Sequence, residues 1–115
     1  MKTKKRLALS LLASMMLLGA QADEWIRINQ LGYLPQSIKV AVFMSEEETS
    51  LSEYQLVDAY TQQVVRTFDS PKEAGSIGNM KRTYRLNFSD FSIPGVYYLK
   101  AGKAVSPRFP INAQV

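Results

Sequence analysis

The 115 residues include no cysteine and no histidine, and tryptophan occurs once, at Trp25. Without cysteine there is no disulfide framework and no thiol chemistry, so an exported fold of this sequence must hold by packing and strand pairing. Without histidine the commonest general base and a leading zinc ligand are missing. Long apolar runs are also scarce. The one from Leu7 to Leu18, broken only by Ser10 and Ser14, falls short of the roughly 20 residues that span a bilayer, and no second candidate follows. No glycine-rich phosphate loop is present, and no serine or lysine nucleophile has a recognisable local signature.

The surroundings of that apolar run give its role. Met1 to Arg6 is basic, and Gly19-Ala20-Gln21-Ala22 supplies the small-x-small pattern that a signal peptidase cuts. Residues 1–22 are therefore expected to be a cleavable signal peptide, with a mature start at Asp23 and residence in the periplasm or outside the cell. A retained anchor is disfavoured by length, and no cysteine near the cut offers a lipid anchor. Four of the fourteen cationic residues, Lys2, Lys4, Lys5 and Arg6, leave with the signal; all ten acidic residues lie at or after Asp23. The mature stretch has no formal net charge. The argument from a basic chain to nucleic acid or an anionic membrane thus disappears, and the local cluster Lys81, Arg82 and Arg85 reads as the solvated face of a strand.

Residues 23–115 have room for one domain. Short β-like runs separated by turn signals predict an all-β sandwich, and no helical periodicity competes with them. Strands are expected at Trp25 to Ile28, an edge, at Lys39 to Met44, largely buried, and at Tyr54 to Asp58 and Gln63 to Phe68, joined by a turn at Ala59 to Gln62. The clearest alternation runs from Thr83 to Phe88, with Tyr84, Leu86 and Phe88 on the core face and Arg85 and Asn87 on the other. Val96 to Lys100, with Tyr97 and Leu99 inward, and Val105 to Ile111 complete a count of about seven. Two surface loops remain, Ser45 to Ser52 and Asp69 to Met80. The acidic run Glu46-Glu47-Glu48 in the first lacks the glycine and the Asp alternation of a calcium loop, so neither metal nor cofactor is expected. Asn87-Phe88-Ser89 matches a glycosylation sequon but falls in a strand.

Four segments in order carry a resemblance: Asn29-Gln30-Leu31-Gly32-Tyr33-Leu34-Pro35, Ile38-Lys39-Val40-Ala41-Val42, Pro94-Gly95-Val96-Tyr97-Tyr98-Leu99 and Ser106-Pro107-Arg108-Phe109-Pro110-Ile111. Together they resemble the N-terminal immunoglobulin-like domain that precedes the catalytic barrel in many family 9 glycoside hydrolases, the cellulases and endoglucanases. The resemblance runs from about Ile26 to Ile111. It implies an immunoglobulin-like β-sandwich in which Tyr97 is similar to a tyrosine-corner residue, its hydroxyl reaching back to upstream backbone. Physically, Gly32 suits a turn that needs positive φ, Pro35 biases Leu34 toward extended geometry, and the amides of Asn29 and Gln30 are able to satisfy backbone groups at the turn.

Catalysis in that family rests on paired carboxylates that flank the scissile bond within a helical barrel. The family's Asp-x-x-Asp base motif, catalytic histidine and late glutamate have no counterparts here, and Asp58, Asp69 and Asp90 are too isolated to form an acid and base pair. No catalytic residue is assigned. The chain ends at Val115, where the resemblance puts the start of a barrel, so it reads as a fragment or truncated product. The implied function is that of a non-catalytic accessory module in a secreted polysaccharide-degrading enzyme. Its partner would be a glycoside hydrolase barrel in the same chain, with no nucleic acid and no membrane after signal cleavage. Candidate interdomain contacts are Asn29, Gln30, Tyr33, Leu34, Tyr60 and Phe109, with the following segment to Val115. The alternatives are a carbohydrate-binding sandwich, which would need Trp25, Tyr54, Tyr60 and Tyr98 in a planar row, and a general cell-surface interaction module.

Overall fold

Alternation of apolar and polar side chains decides which segments pair and which face turns inward. In the computed structural model, which describes residues 23–114, nine strands form two antiparallel sheets. The expected signal peptide and Val115 lie outside the described residues. The strands are β1 (Glu24–Arg27), β2 (Val40–Ser45), β3 (Tyr54–Asp58), β4 (Val64–Phe68), β5 (Lys72–Ile77), β6 (Met80–Asn87), β7 (Gly95–Ala101), β8 (Ala104–Val105) and β9 (Phe109–Ile111). One sheet has the order β1-β2-β6-β5; the other has β4-β3-β7-β8, with β9 also paired to β7. Between them Phe43, Leu56, Leu86, Phe88, Leu99 and Phe109 are fully buried.

The register of β6 follows its pattern. Tyr84, Leu86 and Phe88 are buried while Arg85 and Asn87 are exposed, and β6 pairs without a slip along β2 from Val40 opposite Asn87 to Ser45 opposite Arg82. A shift by one residue would bury Arg85 and expose Leu86, so burial fixes the pairing. Tyr54 ties the sheets together, its hydroxyl donating to the Asn87 carbonyl at 2.6 Å while its ring stacks on Phe68 at 5.0 Å.

Two expectations fail. The stretch Asp69 to Met80 is not a loop but contains β5, all six of whose residues are exposed. Its lack of apolar alternation hid it: β5 exists through backbone pairing with β6 and the Arg82–Glu73 ion pair at 2.6 Å. The hairpin closes through Gly78 and Asn79, with φ of 56° at Gly78, a glycine at the first of two central positions, which favours a turn matching the strand twist. The expected single strand Val105 to Ile111 is also two. Pro107 has no N–H to give, and the register moves from Lys100 opposite Val105 to Tyr97 opposite Phe109, one residue being bulged out. Ser106 bridges the break. Its N–H donates to the Leu99 carbonyl and its Oγ accepts the Leu99 N–H, both at 2.8 Å.

The pairings also sort the connections. The β1–β2 loop, the β3–β4 turn, the β6–β7 loop and the end of β9 all lie at one end of the sandwich.

Candidate interdomain surface

That end is built around the β1–β2 loop. Gly32 donates its N–H to the Asn29 carbonyl at 3.0 Å, the Asn29 side-chain oxygen accepts the Leu31 N–H at 3.1 Å, and Gly32 takes φ of 107°. A side chain there would be strained, which accounts for the glycine. A second turn follows. The Leu34 carbonyl accepts both the N–H and the hydroxyl of Ser37, at 3.1 and 2.9 Å, with Pro35 after Leu34, the place where its fixed φ suits a turn.

Tyr33, between the two turns, is the anchor. Its ring makes edge contacts with Phe88 at 5.1 Å and Phe109 at 5.4 Å. Its hydroxyl accepts the Asn29 N–H at 2.9 Å and donates to the Val40 carbonyl at 3.2 Å, joining the two ends of the loop. Burial pushes the Tyr33 hydroxyl pKa above its usual value, partly offset by the Asn29 N–H. The Tyr33 backbone pairs in parallel with Ile111: Tyr33 N–H donates to the Pro110 carbonyl at 3.0 Å, and Asn112 N–H donates to the Tyr33 carbonyl at 3.1 Å.

Lys39 holds the loop from below. Its side chain is fully buried, and Nζ donates to the carbonyls of Pro35 at 2.6 Å and Ser37 at 2.9 Å. A buried cation needs such acceptors; burial lowers its pKa and the nearby Asp90 opposes that shift. The pinned loop leaves its apolar side chains in water. Leu31 is 82% exposed, Ile38 81% and Leu34 44%; with Gly32 and Tyr33 they line a shallow recess of about 370 Å³.

At the same end the β3–β4 turn presents Tyr60, 76% exposed. Asp58 holds this turn by accepting the N–H groups of Tyr60 and Thr61 at 2.8 and 3.0 Å, and those of Thr61 and Tyr60 in turn lower its carboxyl pKa. Tyr97 secures the β6–β7 loop as a tyrosine corner, its hydroxyl donating to the Ile93 carbonyl at 3.0 Å. Gly95 is there because a Cβ would lie 2.7 Å from that hydroxyl.

Among the six candidate contacts, Asn29, Gln30, Leu34 and Tyr60 are exposed, Tyr33 is buried at 8%, and Phe109 has no exposed surface. Tyr33 and Phe109 support the surface from beneath. Leu31 and Ile38 were missed, although apolar residues flanking a Gly turn and a Pro turn are a readable sign; the buried role of Lys39 has no such sign. The four aromatics do not form a planar row: Tyr54 is 2% exposed, Trp25 lies on β1 in one sheet and Tyr98 on β7 in the other. The larger recess of about 410 Å³ beside Tyr54 and Phe68 carries Asp69, Asp90 and Arg66, but both carboxylates are exposed. Among the described residues no three His, Cys, Asp or Glu side chains converge on a metal position.

A two-sheet β-sandwich with a tyrosine corner and an exposed apolar end defines an immunoglobulin-like module. The sequence model of the cellulase N-terminal Ig-like domain matches residues 21–106, and the chain belongs to that family. Among solved structures it is similar to a Bacteroides ovatus GH9 protein, with 36% identity and a TM-score of 0.63 over 76% of this chain and 15% of that one. It is also similar to a metagenome-derived glycoside hydrolase family 9 endoglucanase, with 27% identity and a TM-score of 0.65 over 80% and 18%. A thermostable endoglucanase mutant from Alicyclobacillus acidocaldarius, 24% identical with a TM-score of 0.57 over 76% and 14%, shares the fold. The chain thus spans less than a fifth of the length of these structures. A comparison with curated protein sequences gives no match.

Proposed function

We propose that this module is a non-catalytic brace for a glycoside hydrolase barrel carried after it in the same chain, in an exported enzyme acting on β-glucan. The observation that carries the reading is the apolar recess of Leu31, Leu34 and Ile38 beside Asn112, on a loop held by Tyr33 and Lys39. The route toward a following domain runs past Asn112, whose N–H is bonded to Tyr33. Exposed leucine and isoleucine on a pinned loop suit a partner surface, since the loop loses little freedom on docking. Interfaces between domains of one chain bury about 600–1,500 Å², and exposed Tyr60 and Ile93 extend the apolar surface at this end.

The similarity to GH9 endoglucanases supports the same partner. The module supplies no acid and base pair, so hydrolysis would belong to the barrel. Calorimetry of the module against a family 9 barrel deprived of its own copy tests the reading. Binding that Leu31→Asp together with Ile38→Asp abolishes is expected; absent binding, or binding indifferent to both changes, would refute it.

A further inference from the structure

The formal neutrality of the stretch from Asp23 conceals a segregation of sign. Residues directly opposite each other on neighbouring strands share a face. Arg27 is opposite Val42, Val42 is opposite Arg85, and Arg85 is opposite Lys72, so these four form one row across β1, β2, β6 and β5. Three interstrand steps make that row about 14 Å long. It lies on the outward face, because the alternate residues Ile26, Phe43, Tyr84 and Leu86 are buried.

Arg27, Arg85 and Lys72 are all exposed, as is Lys81, four residues before Arg85 on the same face of β6. None of these four side chains has a hydrogen-bond or ion-pair partner among the described residues. The Arg82–Glu73 pair belongs to the other side of the hairpin, Glu73 standing opposite the inward Tyr84. No Asp or Glu occupies an outward position on the four strands. Beside the row, two residues before Arg27, Trp25 is 40% exposed and shares its face.

We propose that this face binds a linear acidic polysaccharide, a chain of uronic acid sugars. Its carboxylates would meet Arg27, Arg85 and Lys72, and a ring would rest on the Trp25 indole. An extended polymer with anionic groups at regular intervals matches a straight cationic row on a pleated surface. Arg fits a carboxylate through paired N–H donors, and an exposed indole offers an apolar surface with a polar edge. The row is on a sheet face whereas the apolar recess is at the strand ends, so this binding does not rest on the bracing role and leaves the recess free.

Affinity electrophoresis of the protein in native gels cast with polygalacturonate tests the proposal. Retardation is expected, weakening steeply between about 50 and 200 mM salt, with none from neutral hydroxyethylcellulose. The triple change Arg27→Ala, Lys72→Ala and Arg85→Ala should weaken binding about tenfold, as three exposed ion pairs would, and should leave the melting temperature nearly unchanged. Trp25→Ala should weaken it severalfold, whereas Lys100→Ala on β7 with Arg108→Ala between β8 and β9, both exposed and away from this sheet, should not. The proposal is overturned if the protein is not retarded, if the triple variant is retarded equally, if the Lys100 and Arg108 pair matters as much, or if single-stranded DNA retards the protein as strongly.

Discussion

Removing one oxygen atom, in Tyr33→Phe, tests whether the β1–β2 loop is held as described. The ring stays, so its edge contacts with Phe88 and Phe109 survive. What is lost is an acceptor for the Asn29 N–H at 2.9 Å and a donor to the Val40 carbonyl at 3.2 Å. Each such bond contributes about 1 kcal/mol net, and more where a buried partner is left unsatisfied, so the change should cost about 2 kcal/mol. For a domain of this size that lowers Tm by roughly 8–16 °C. Urea melts should show a lower midpoint with an unchanged slope, since the surface exposed on unfolding is the same. Tyr33→Ala, which also empties the space between the two phenylalanines, should cost about 3–5 kcal/mol, as for other large aromatic truncations. Hydrogen exchange at Asn29 should speed up in both variants. A Tyr33→Phe cost below about 0.5 kcal/mol, with exchange at Asn29 unaltered, would refute the claim that the hydroxyl pins the loop.

Leu86→Ala should cost about 2–5 kcal/mol while Arg85→Ala stays within about 0.5 kcal/mol; denaturant melts in the reverse order would mean the faces of β6 are exchanged. Burial raises the pKa of Tyr33, Tyr54 and Tyr97, so the folded state keeps these protons longer than the unfolded one. Their contribution is whole below the ordinary tyrosine value of about 10 and declines as pH rises through the folded values. Lys39, lowered by burial, works in the opposite sense, but its contribution stops changing above the ordinary lysine value of about 10.4, so thermal melts should show loss of stability above about pH 10.5, smaller in Tyr54→Phe; stability flat between about pH 10.5 and 11.5 would contradict this. Mass spectrometry of the exported product should find Asp23 at its N-terminus, and an intact Met1 would refute the signal assignment.

The sandwich was legible because its inner strands carry their faces in the sequence. Tyr84 and Leu86 on β6 with Phe88 just after it, and Tyr97 and Leu99 on β7, alternate with polar or half-exposed neighbours, and burial then leaves one register. β5 was not legible, since Lys72 to Ile77 packs nothing and exists through pairing to β6. The bulge at Pro107 escaped because its cause, the Ser106 side chain substituting for a backbone carbonyl, needs the neighbouring strand in place. At the candidate surface Gly32 and Tyr33 marked the turn, but sequence spacing does not separate an aromatic that props a loop from one that meets a partner. Phe109 was read as surface for that reason and is fully buried. Leu31 and Ile38 flank the Gly32 and Pro35 turns, a readable sign, but that both stay exposed follows from the bonds that pin the loop.

The bracing role is tested most directly by the melting temperature of a family 9 barrel that lacks its own Ig-like domain, measured with and without this module added in excess. A rise in the barrel's Tm is expected, with no sugar release from soluble β-glucan by the module alone and loss of the rise when Leu31 and Ile38 are both changed to Asp. An unchanged Tm, or a rise that survives the double substitution, would contradict it.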